Sequence, residues 1–175
     1  FASDHGDTLG IHGGAFDKGA MAYEEIYNVP LIVKGSGNPN GGKTCEEFVS
    51  LLDLPSTFVH IAGREMPGAH GTSLLPILEG ASMSKREHVM AQFHGHRFPV
   101  AQRVLWWDRY KFVLNFADRD ELYDLDTDGC EMDNLISRLE FRDVHQECRQ
   151  RLLEAMTDVD DTLGPQARHL LERSL

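Results

Sequence analysis

The sequence predicts an α/β protein in two parts that divide near residue 85. Residues 1–85 alternate short apolar runs with helical segments and glycine-rich loops, a pattern typical of α/β domains. Residues 86–175 begin with four short β-rich runs separated by turn residues, which indicate an antiparallel sheet. A helical apolar period follows these runs, so we expect a small α+β domain with a four-stranded sheet and a packed helix.

Composition and charge limit the class of the protein and its partners. With 41% apolar and 26% charged residues among 175, the chain is typical of globular proteins, and its length allows about 70% of the unfolded surface to be buried. A net charge of −11 argues against nucleic acid and anionic membranes as partners, because both attract basic patches. The chain contains no apolar run long enough to span a bilayer.

The three cysteines carry little information about chemistry. Cys45, Cys130 and Cys148 fit neither a disulfide framework nor the spacing of a zinc site. Their scatter favours a reduced, cytoplasmic compartment. Because the chain begins without a methionine, we expect it to be part of a longer protein.

The densest group of reactive side chains lies at the start of the chain. Phe1 and Ala2 are predicted to end a strand, and residues 3–6 then turn the chain at the edge where open α/β sheets place their ligands. Asp4 and His5 together can reach one divalent cation, the aspartate suiting a hard ion. Because two ligands do not complete a site, the others must come from elsewhere. The alternative is an ordinary turn with a solvated histidine.

A glycine-rich loop follows, and it contains a lysine. Five glycines within fourteen residues let the backbone pass close to a small ligand: Gly6, Gly10, Gly13, Gly14 and Gly19. Lys18 lies in the same loop, and a lysine beside a cation site suggests an anion clamp. The alternative for Lys18 is a solvated side chain.

Short elements are predicted to follow the loop. Residues 20–28 have helical composition, and Pro30 favours extended backbone at its predecessor. The apolar run 31–33 is predicted as a buried strand. The loop 35–43 lacks the Walker spacing, so it is predicted as an exposed turn rather than a phosphate cradle.

A strand and a helix are predicted next. Residues 45–50 are predicted as the strand. The helix after it can begin at Asp53 or Ser56 and end at Gly63, because the first two residue types cap helix starts and glycine caps helix ends.

The apolar side chains of this helix recur at helical spacing. Leu54, Phe58 and Ile61 form the stripe, which predicts that they belong to the core. A further short helix, with the sequence LLPIL, is predicted before Gly80.

The second part of the chain begins with residues that favour β-strands. The β-rich runs are HVMAQFH, VAQRVLWW, RYKFVLNF and ELYDL. Alternation along the first run places His94 and His96 on one face at its exit. Such a pair can chelate a transition metal, but without a third nearby ligand a polar strand end is the favoured interpretation.

An acidic turn and two helices complete the chain. The turn has the aspartates of a calcium loop at the first, third and fifth positions: Asp124, Asp126 and Asp128. Leu135 stands where the twelfth residue should be glutamate, so a solvated acidic turn capped by Asn134 is predicted instead. An amphipathic helix is predicted from the apolar period between Leu135 and Met156, and a shorter helix follows Gly164 and Pro165.

Three stretches of the sequence resemble the sulfatase family of the alkaline-phosphatase-like superfamily. The stretch SDHGDTLGIHGGAFDKGAMAYEEIYNVPLIV is similar to a signature with Ser-Asp-His/Asn-Gly, a Gly-His loop, a lysine, Tyr-Glu and Val-Pro-Leu-Ile. LLDLPSTFVHIAGREMPGAHGTSLLPILEG resembles the Asp-Leu-x-Pro-Thr helix and the Gly-x-Ser-Leu-Leu-Pro segment. DELYDLDTDGCEMDNLI resembles a late strand and turn of the family. The motifs occur in family order and match its carboxyl-terminal portion.

The resemblance implies a fold and a set of functional residues. Residues 1–85 would be the end of the alkaline-phosphatase-like α/β domain, and 86–175 the small carboxyl-terminal domain. Asp4 and His5 would hold a divalent cation, which is calcium in most of the family, and Lys18 would bind the sulfate of a small-molecule sulfate ester. His12 would have a supporting role at most.

The resemblance also implies groups at the substrate and a nucleophile elsewhere. His94, His96 and Arg97 would project from the second domain and touch the organic part of the substrate. The nucleophile of the family is a formylglycine made within a Cys/Ser-x-Pro/Ala-x-Arg signature, and no cysteine of this sequence lies in such a signature. The formylglycine is therefore expected upstream of these residues, and the chain alone is expected to be inactive.

Two departures from the family pattern leave alternatives open. His5 stands where many sulfatases carry asparagine, a variant also found in phosphonate monoester hydrolases and some phosphodiesterases of the superfamily. Asn28 stands where the family often has arginine. The alternatives are a phosphonate monoester or phosphodiester hydrolase, and a non-catalytic fragment that binds no cation. A truncated sheet would also expose an edge, which predicts self-association.

Overall fold

The computed structural model of the protein describes six stretches of the chain: residues 1–14, 16–19, 21–35, 41–81, 86–95 and 99–173. The chain divides into two compact units, each described here by itself. The first unit contains residues 1–4 and 30–89, and the second unit contains residues 5–29 and 90–175. The domain division predicted at residue 85 stays a prediction. Within the described stretches, no helix is both long and apolar enough to cross a membrane.

The helices and strands are numbered in chain order. They are α1 (Ile11–Gly14), α2 (Glu24–Tyr27), α3 (Asp53–Ile61), α4 (Leu75–Leu78), β1 (His88–Phe93), β2 (Gln102–Trp107), β3 (Tyr110–Asn115), β4 (Glu121–Asp124), α5 (Arg142–Asp158) and α6 (Gly164–Arg173). Two 3₁₀ turns, Leu135–Ser137 and Leu139–Phe141, precede α5.

The start of the first unit forms one bridge rather than a strand. Ala2 pairs with Leu31 in an isolated antiparallel bridge, and Phe1 exchanges backbone hydrogen bonds with Ile32 at 2.7 and 2.8 Å. The buried strand predicted over 31–33 is therefore wrong: Ile32 is 63% exposed, because a single bridge covers neither face of the run.

Asp53 organises the first unit around the start of α3. Its carboxylate receives two hydrogen bonds from Arg86, at 2.6 and 2.7 Å, and the backbone N–H groups of Ser50 and Thr72 donate to it at 2.7 Å. Burial alone would raise the pKa of this carboxyl, but these bonds together lower it. The predicted helix start at Asp53 is confirmed, but Leu52 holds the N-cap position, and the Asp53 carboxylate forms a buried ion pair instead of a cap.

Two predictions for this part of the first unit are wrong. Residues 45–50 form no strand; their backbone is held by Asp53 and Arg86 instead, with Phe48 O accepting from Arg86 at 3.3 Å. The stripe on α3 is not core, since Phe58 is 65% exposed. The opposite face of α3 is the buried one, and it packs through the hydroxyls of Ser56 and Thr57.

The second unit contains the predicted antiparallel sheet. The strand order is β1-β2-β3-β4, with Leu105 opposite Phe112 across β2 and β3, and Phe112 opposite Leu122 across β3 and β4. Helix α5 covers one face of the sheet with Cys148 and Leu152, which are fully buried with the strand residues. The predicted four-stranded sheet with a packed helix is confirmed.

The connection between β4 and α5 corrects two boundaries. The helix begins at Arg142 rather than Leu135, because Asn134 accepts from the N–H of Ile136 and starts a 3₁₀ turn instead. Asn134 therefore caps this turn and not the acidic turn before it. The acidic turn is also not fully solvated, since Asp124 is buried and its Oδ2 lies 3.3 Å from Nη2 of Arg109. Helix α6 follows as predicted.

Candidate functional site

The structure brings two of the predicted site residues into direct contact. Lys18 Nζ lies 2.8 Å from His5 Nε2, and His5 Nδ1 lies 2.8 Å from the carbonyl oxygen of Gly6. A carbonyl can only accept, so Nδ1 carries the ring proton and Nε2 keeps its lone pair. The ammonium of Lys18 therefore donates to a neutral imidazole whose tautomer is fixed by its own backbone.

This tautomer is the one that suits a metal ligand. Histidines that bind metals usually donate their second ring N–H to a carbonyl or carboxylate, which orients the ring and directs the free nitrogen at the metal. His5 has that arrangement, with Lys18 at the unprotonated nitrogen. A cation bound there would share one lone pair with the ammonium, so the two positive groups compete for His5 Nε2.

Asp4, the other predicted ligand, precedes His5 in the chain and is exposed. It belongs to the first unit, whereas His5 belongs to the second. In the stretches that the structure describes, no group of three or more His, Cys, Asp or Glu side chains is placed to hold a metal ion. The assignment of Asp4 and His5 to a metal stays a prediction.

The loop that carries Lys18 is closed by a buried hydroxyl. Thr8 is fully buried, and its Oγ1 donates to the carbonyl oxygen of Asp17 at 3.0 Å. The carboxylate of Asp17 accepts from the N–H of Lys18 at 2.7 Å. Three residues of this loop that are not glycine have positive φ angles: Leu9, His12 and Asp17. The loop is therefore a specified conformation and not a loose glycine tract.

A second anchor holds the middle of the loop. The ring of His12 stacks face to face on Tyr23, with centroids 3.5 Å apart and planes 2° from parallel. His12 Nε2 lies 3.3 Å from Glu25 Oε2. Burial, with added effects of nearby carboxylates, raises the pKa of the Tyr23 hydroxyl. The predicted supporting role of His12 is thus a structural one, which fixes the loop to α2.

Helix α2 also fixes the backbone next to His5. The N–H of Gly6 donates to the carbonyl oxygen of Ile26 at 2.9 Å. A Cβ atom at Gly6 would lie 1.8 Å from the carbonyl oxygen of Glu25, so no other residue fits there without a backbone shift. The glycine after His5 is required by this close approach.

A buried charge network ties α2 to the sheet. The carboxylate of Glu24 accepts from Trp106 Nε1 at 2.6 Å and from Lys111 Nζ at 3.1 Å. Glu131 accepts from the N–H of Glu24 at 2.6 Å and lies 2.6 Å from Lys111 Nζ. Burial raises the pKa of Glu131, and the charge of Lys111 opposes that shift. The site loop therefore rests on α2, and α2 rests on β2, β3 and the turn that holds Glu131.

The residues predicted to contact the organic part of the substrate are only partly described. His94 is exposed after β1, and its Nε2 lies 3.3 Å from Oε1 of Gln92. Gln92, a residue of β1, in turn donates to Asp161 at 2.8 Å, so the ring of His94 lies against β1. His96 and Arg97 lie outside the described residues.

Sequence reasoning missed Thr8 and the network of Glu24, Lys111 and Glu131. Alternation along RYKFVLNF places Lys111 on the face opposite Tyr110, Phe112 and Leu114, so the pattern predicts a solvated lysine and carries no signal for the network. Thr8 carries no signal either, since a threonine next to glycines is typical of any loop.

Comparisons with known proteins show the family of the chain. The family model described as N-sulphoglucosamine sulphohydrolase, C-terminal, matches residues 10–158. The uncharacterized sulfatase YidJ of Escherichia coli is 31% identical over 92% of this chain and 32% of its own length. The N-acetylglucosamine-6-O-sulfatase of Bacteroides thetaiotaomicron is 31% identical over 92% of this chain and 30% of its length. The chain thus spans about a third of these relatives.

Solved structures share the fold. A 2-O GAG sulfatase has a TM-score of 0.84 at 29% identity, over 91% of this chain and 36% of that one. A protein solved with D-glucosamine-2-N,6-O-disulfate has a TM-score of 0.76 at 27% identity, over 92% of this chain and 34% of that one. The phosphonate monoester hydrolase of Agrobacterium radiobacter has a TM-score of 0.80 at 25% identity, over 91% of this chain and 34% of that one. The predicted fold class is confirmed, and the chain belongs to the N-sulphoglucosamine sulphohydrolase C-terminal family of sulfatases.

Proposed function

We propose that this chain supplies part of the cation and sulfate site of an enzyme that hydrolyses small-molecule sulfate esters. Family membership supports this proposal, as do relatives that are named sulfatases. The observation that carries it is the contact of Lys18 with a neutral His5 at 2.8 Å, on a loop fixed at both ends. That contact places one ammonium, which can bind an anion, beside one unprotonated imidazole nitrogen, which can bind a cation.

The residues at the start of the chain would have separate roles in binding the cation and the sulfate. Asp4 and His5 would hold a divalent cation, with calcium as the proposed ion, and the carbonyl of Gly6 keeps His5 in the tautomer that can bind it. When bound, the cation would supply a Lewis acid for the sulfate oxygens. Lys18 would leave His5 Nε2 to contact the sulfate and would neutralise charge on the ester oxygen as the S–O bond breaks.

The nucleophile and the substrate contacts belong to the proposal as well. A formylglycine outside these residues would attack the sulfur, since none of Cys45, Cys130 and Cys148 lies in the required signature. His94, His96 and Arg97 would contact the organic part of the ester. The structure solved with a sulfated glucosamine supports a sulfated sugar as one such ester.

A phosphonate monoester hydrolase is the second candidate, and one residue favours it. His5 replaces the asparagine that many sulfatases carry, and a phosphonate monoester hydrolase shares the fold at 25% identity. Sulfate and phosphonate esters present similar anionic oxygens to Lys18, so the site described here suits either. The rates of hydrolysis of a sulfate ester and a phosphonate ester by the same protein decide between the two candidates.

The test compares an aryl sulfate with a phosphonate monoester in the presence of calcium. A longer protein that contains this chain and the nucleophile segment is expected to hydrolyse the sulfate faster, while the 175-residue chain alone is inactive. Replacing Lys18 with alanine is expected to lower kcat/KM for the sulfate by about 100-fold or more. Lys34→Ala, at an exposed lysine, is the matched control and should leave kcat/KM unchanged.

Three outcomes would decide against parts of the proposal. Activity of the short chain by itself would show that the nucleophile lies within it. A Lys18→Ala variant with full activity would remove Lys18 from the site. Absence of both activities and of calcium binding from the longer protein would favour a non-catalytic chain.

Self-association is a separate proposal about the first unit. Several of its apolar side chains are exposed: Phe1, Ile32, Val33, Leu52, Phe58 and Ile61. Surfaces of this kind associate in water because contact buries apolar area. Light scattering of the 175-residue chain at several concentrations is expected to show a mass that rises with concentration, and a constant monomer mass would refute this.

A further inference from the structure

Thr8 stands out because it is fully buried in a loop whose other described residues are half-buried or exposed. Leu9, the next residue, is 77% exposed, and Phe16 near the other end of the loop is 74% exposed. Apolar side chains of the loop thus face outward while a hydroxyl is buried. A buried hydroxyl is costly unless it is hydrogen-bonded, and Thr8 Oγ1 donates to the carbonyl oxygen of Asp17 at 3.0 Å.

This bond joins the two ends of the loop at the residue before Lys18. The carbonyl of Asp17 belongs to the peptide unit that also contains the N–H of Lys18. That N–H donates to the Asp17 carboxylate at 2.7 Å, so the peptide is held from both sides. The orientation of this peptide sets the direction in which the Lys18 side chain leaves the backbone.

The conformation of Asp17 needs such support. Its φ angle is +74°, a region that residues with a Cβ atom rarely adopt, and Gly19 follows with φ +44°. At the other end of the loop, the carbonyl of Thr8 accepts from the N–H of Ile11 at 2.9 Å. The hydroxyl and the carbonyl of Thr8 therefore both shape the loop. A strained residue persists only where its surroundings determine it.

We propose that Thr8 is a positioning residue for Lys18: its hydroxyl orients the Asp17–Lys18 peptide so that the ammonium lies against His5. The proposal rests on the function given to Lys18 above. Thr8 itself would touch neither substrate nor cation. Its effect would appear in anion binding and in the rate, through the placement of the ammonium.

Valine is the sharpest replacement, because it keeps the shape and burial of threonine and removes only the hydroxyl. Without that donor the Asp17 carbonyl loses its hydrogen bond from Thr8, so the orientation of the Asp17–Lys18 peptide is less firmly fixed. Thr8→Val is therefore expected to lose the contact between Lys18 and His5. Thr8→Ser and Thr8→Ala form a second pair, in which both lose the methyl group and only serine keeps the donor.

The first measurement is made on the 175-residue chain by NMR. Nuclear Overhauser effects between the ε protons of Lys18 and the ring protons of His5 report their 2.8 Å contact. We expect them in the wild type and in Thr8→Ser, and expect them to be absent from Thr8→Val and Thr8→Ala. Thr157→Val is the matched control, because its hydroxyl bonds within α5 to the carbonyl of Leu153. Thermal unfolding shows that each variant is folded.

The second measurement uses the longer protein with an aryl sulfate. Thr8→Val is expected to lower kcat/KM about tenfold, with Thr8→Ser restoring most of the loss. Persistence of the Lys18–His5 signals in both Thr8→Val and Thr8→Ala would overturn the proposal, as would their loss in Thr8→Ser. If the signals vanish but kcat/KM stays constant, Thr8 does position Lys18, and the role given to Lys18 in the reaction is wrong.

Discussion

Two regions of the second unit are held in place by different forces. The site loop region, residues 5–29, contains little regular structure, and large apolar side chains such as Leu9 and Phe16 are exposed. The sheet with α5 contains large apolar side chains that are completely buried, among them Phe112 and Leu152. The first region depends on single directional contacts, and the second depends on apolar area removed from water.

This difference separates stability from site geometry. A polar contact such as the one between Thr8 and Asp17 adds little to the free energy of folding, because water competes for both partners. It nevertheless decides where Lys18 lies. The sheet holds the larger apolar core cluster, and its hydrogen bonds to the described part of the site loop region run through α2. Substitutions in the two regions should therefore change different measurements.

The largest expected loss comes from the network that joins the two regions. Lys111→Met removes the cation between Glu24 and Glu131 and leaves buried carboxylates without compensation. We expect the free energy of unfolding to fall by about 3–5 kcal/mol, as for other broken buried ion pairs. Urea unfolding at constant slope measures this change.

The same variant should also disturb the site from a distance. Because Glu24 begins α2, loss of its partners should weaken the stacking of His12 on Tyr23 as seen by NMR. Lys34→Met, at an exposed lysine, is the control and should change stability by less than about 0.5 kcal/mol. A loss below about 1 kcal/mol in Lys111→Met would show that the network does not link sheet and loop in this way.

The sequence predicted the sheet well because its signals are local. Alternation and turn residues located the four strands, and the preference of aspartate for helix starts located the start of α3 at Asp53. Periodicity shows that one face of a helix is apolar, but it does not show whether the chain itself covers that face. Phe58 is exposed for this reason, and the strand expected at 45–50 failed because long-range bonds to Asp53 and Arg86 fix that segment instead.

The candidate site was predictable in composition but not in arrangement. The motif containing Asp4, His5 and Lys18 identified the residue types, and the structure adds that Lys18 contacts Nε2 of His5. Thr8 and the partners of Glu24 could not be found from the sequence, since their contacts depend on residues 9 to 107 positions away along the chain. Tertiary hydrogen bonds of this kind leave no periodic trace.

A pair of identical substitutions tests the comparison most directly, and one of the two has the smallest effect expected here. Leu152→Ala removes a fully buried side chain of α5 and should lower the free energy of unfolding by about 2–5 kcal/mol. Leu9→Ala in the site loop should change it by less than about 0.5 kcal/mol, because Leu9 is 77% exposed. Urea unfolding of both variants measures the difference. Equal losses would mean that Leu9 is covered in solution, and the contrast between a core held by area and a loop held by polar contacts would fail.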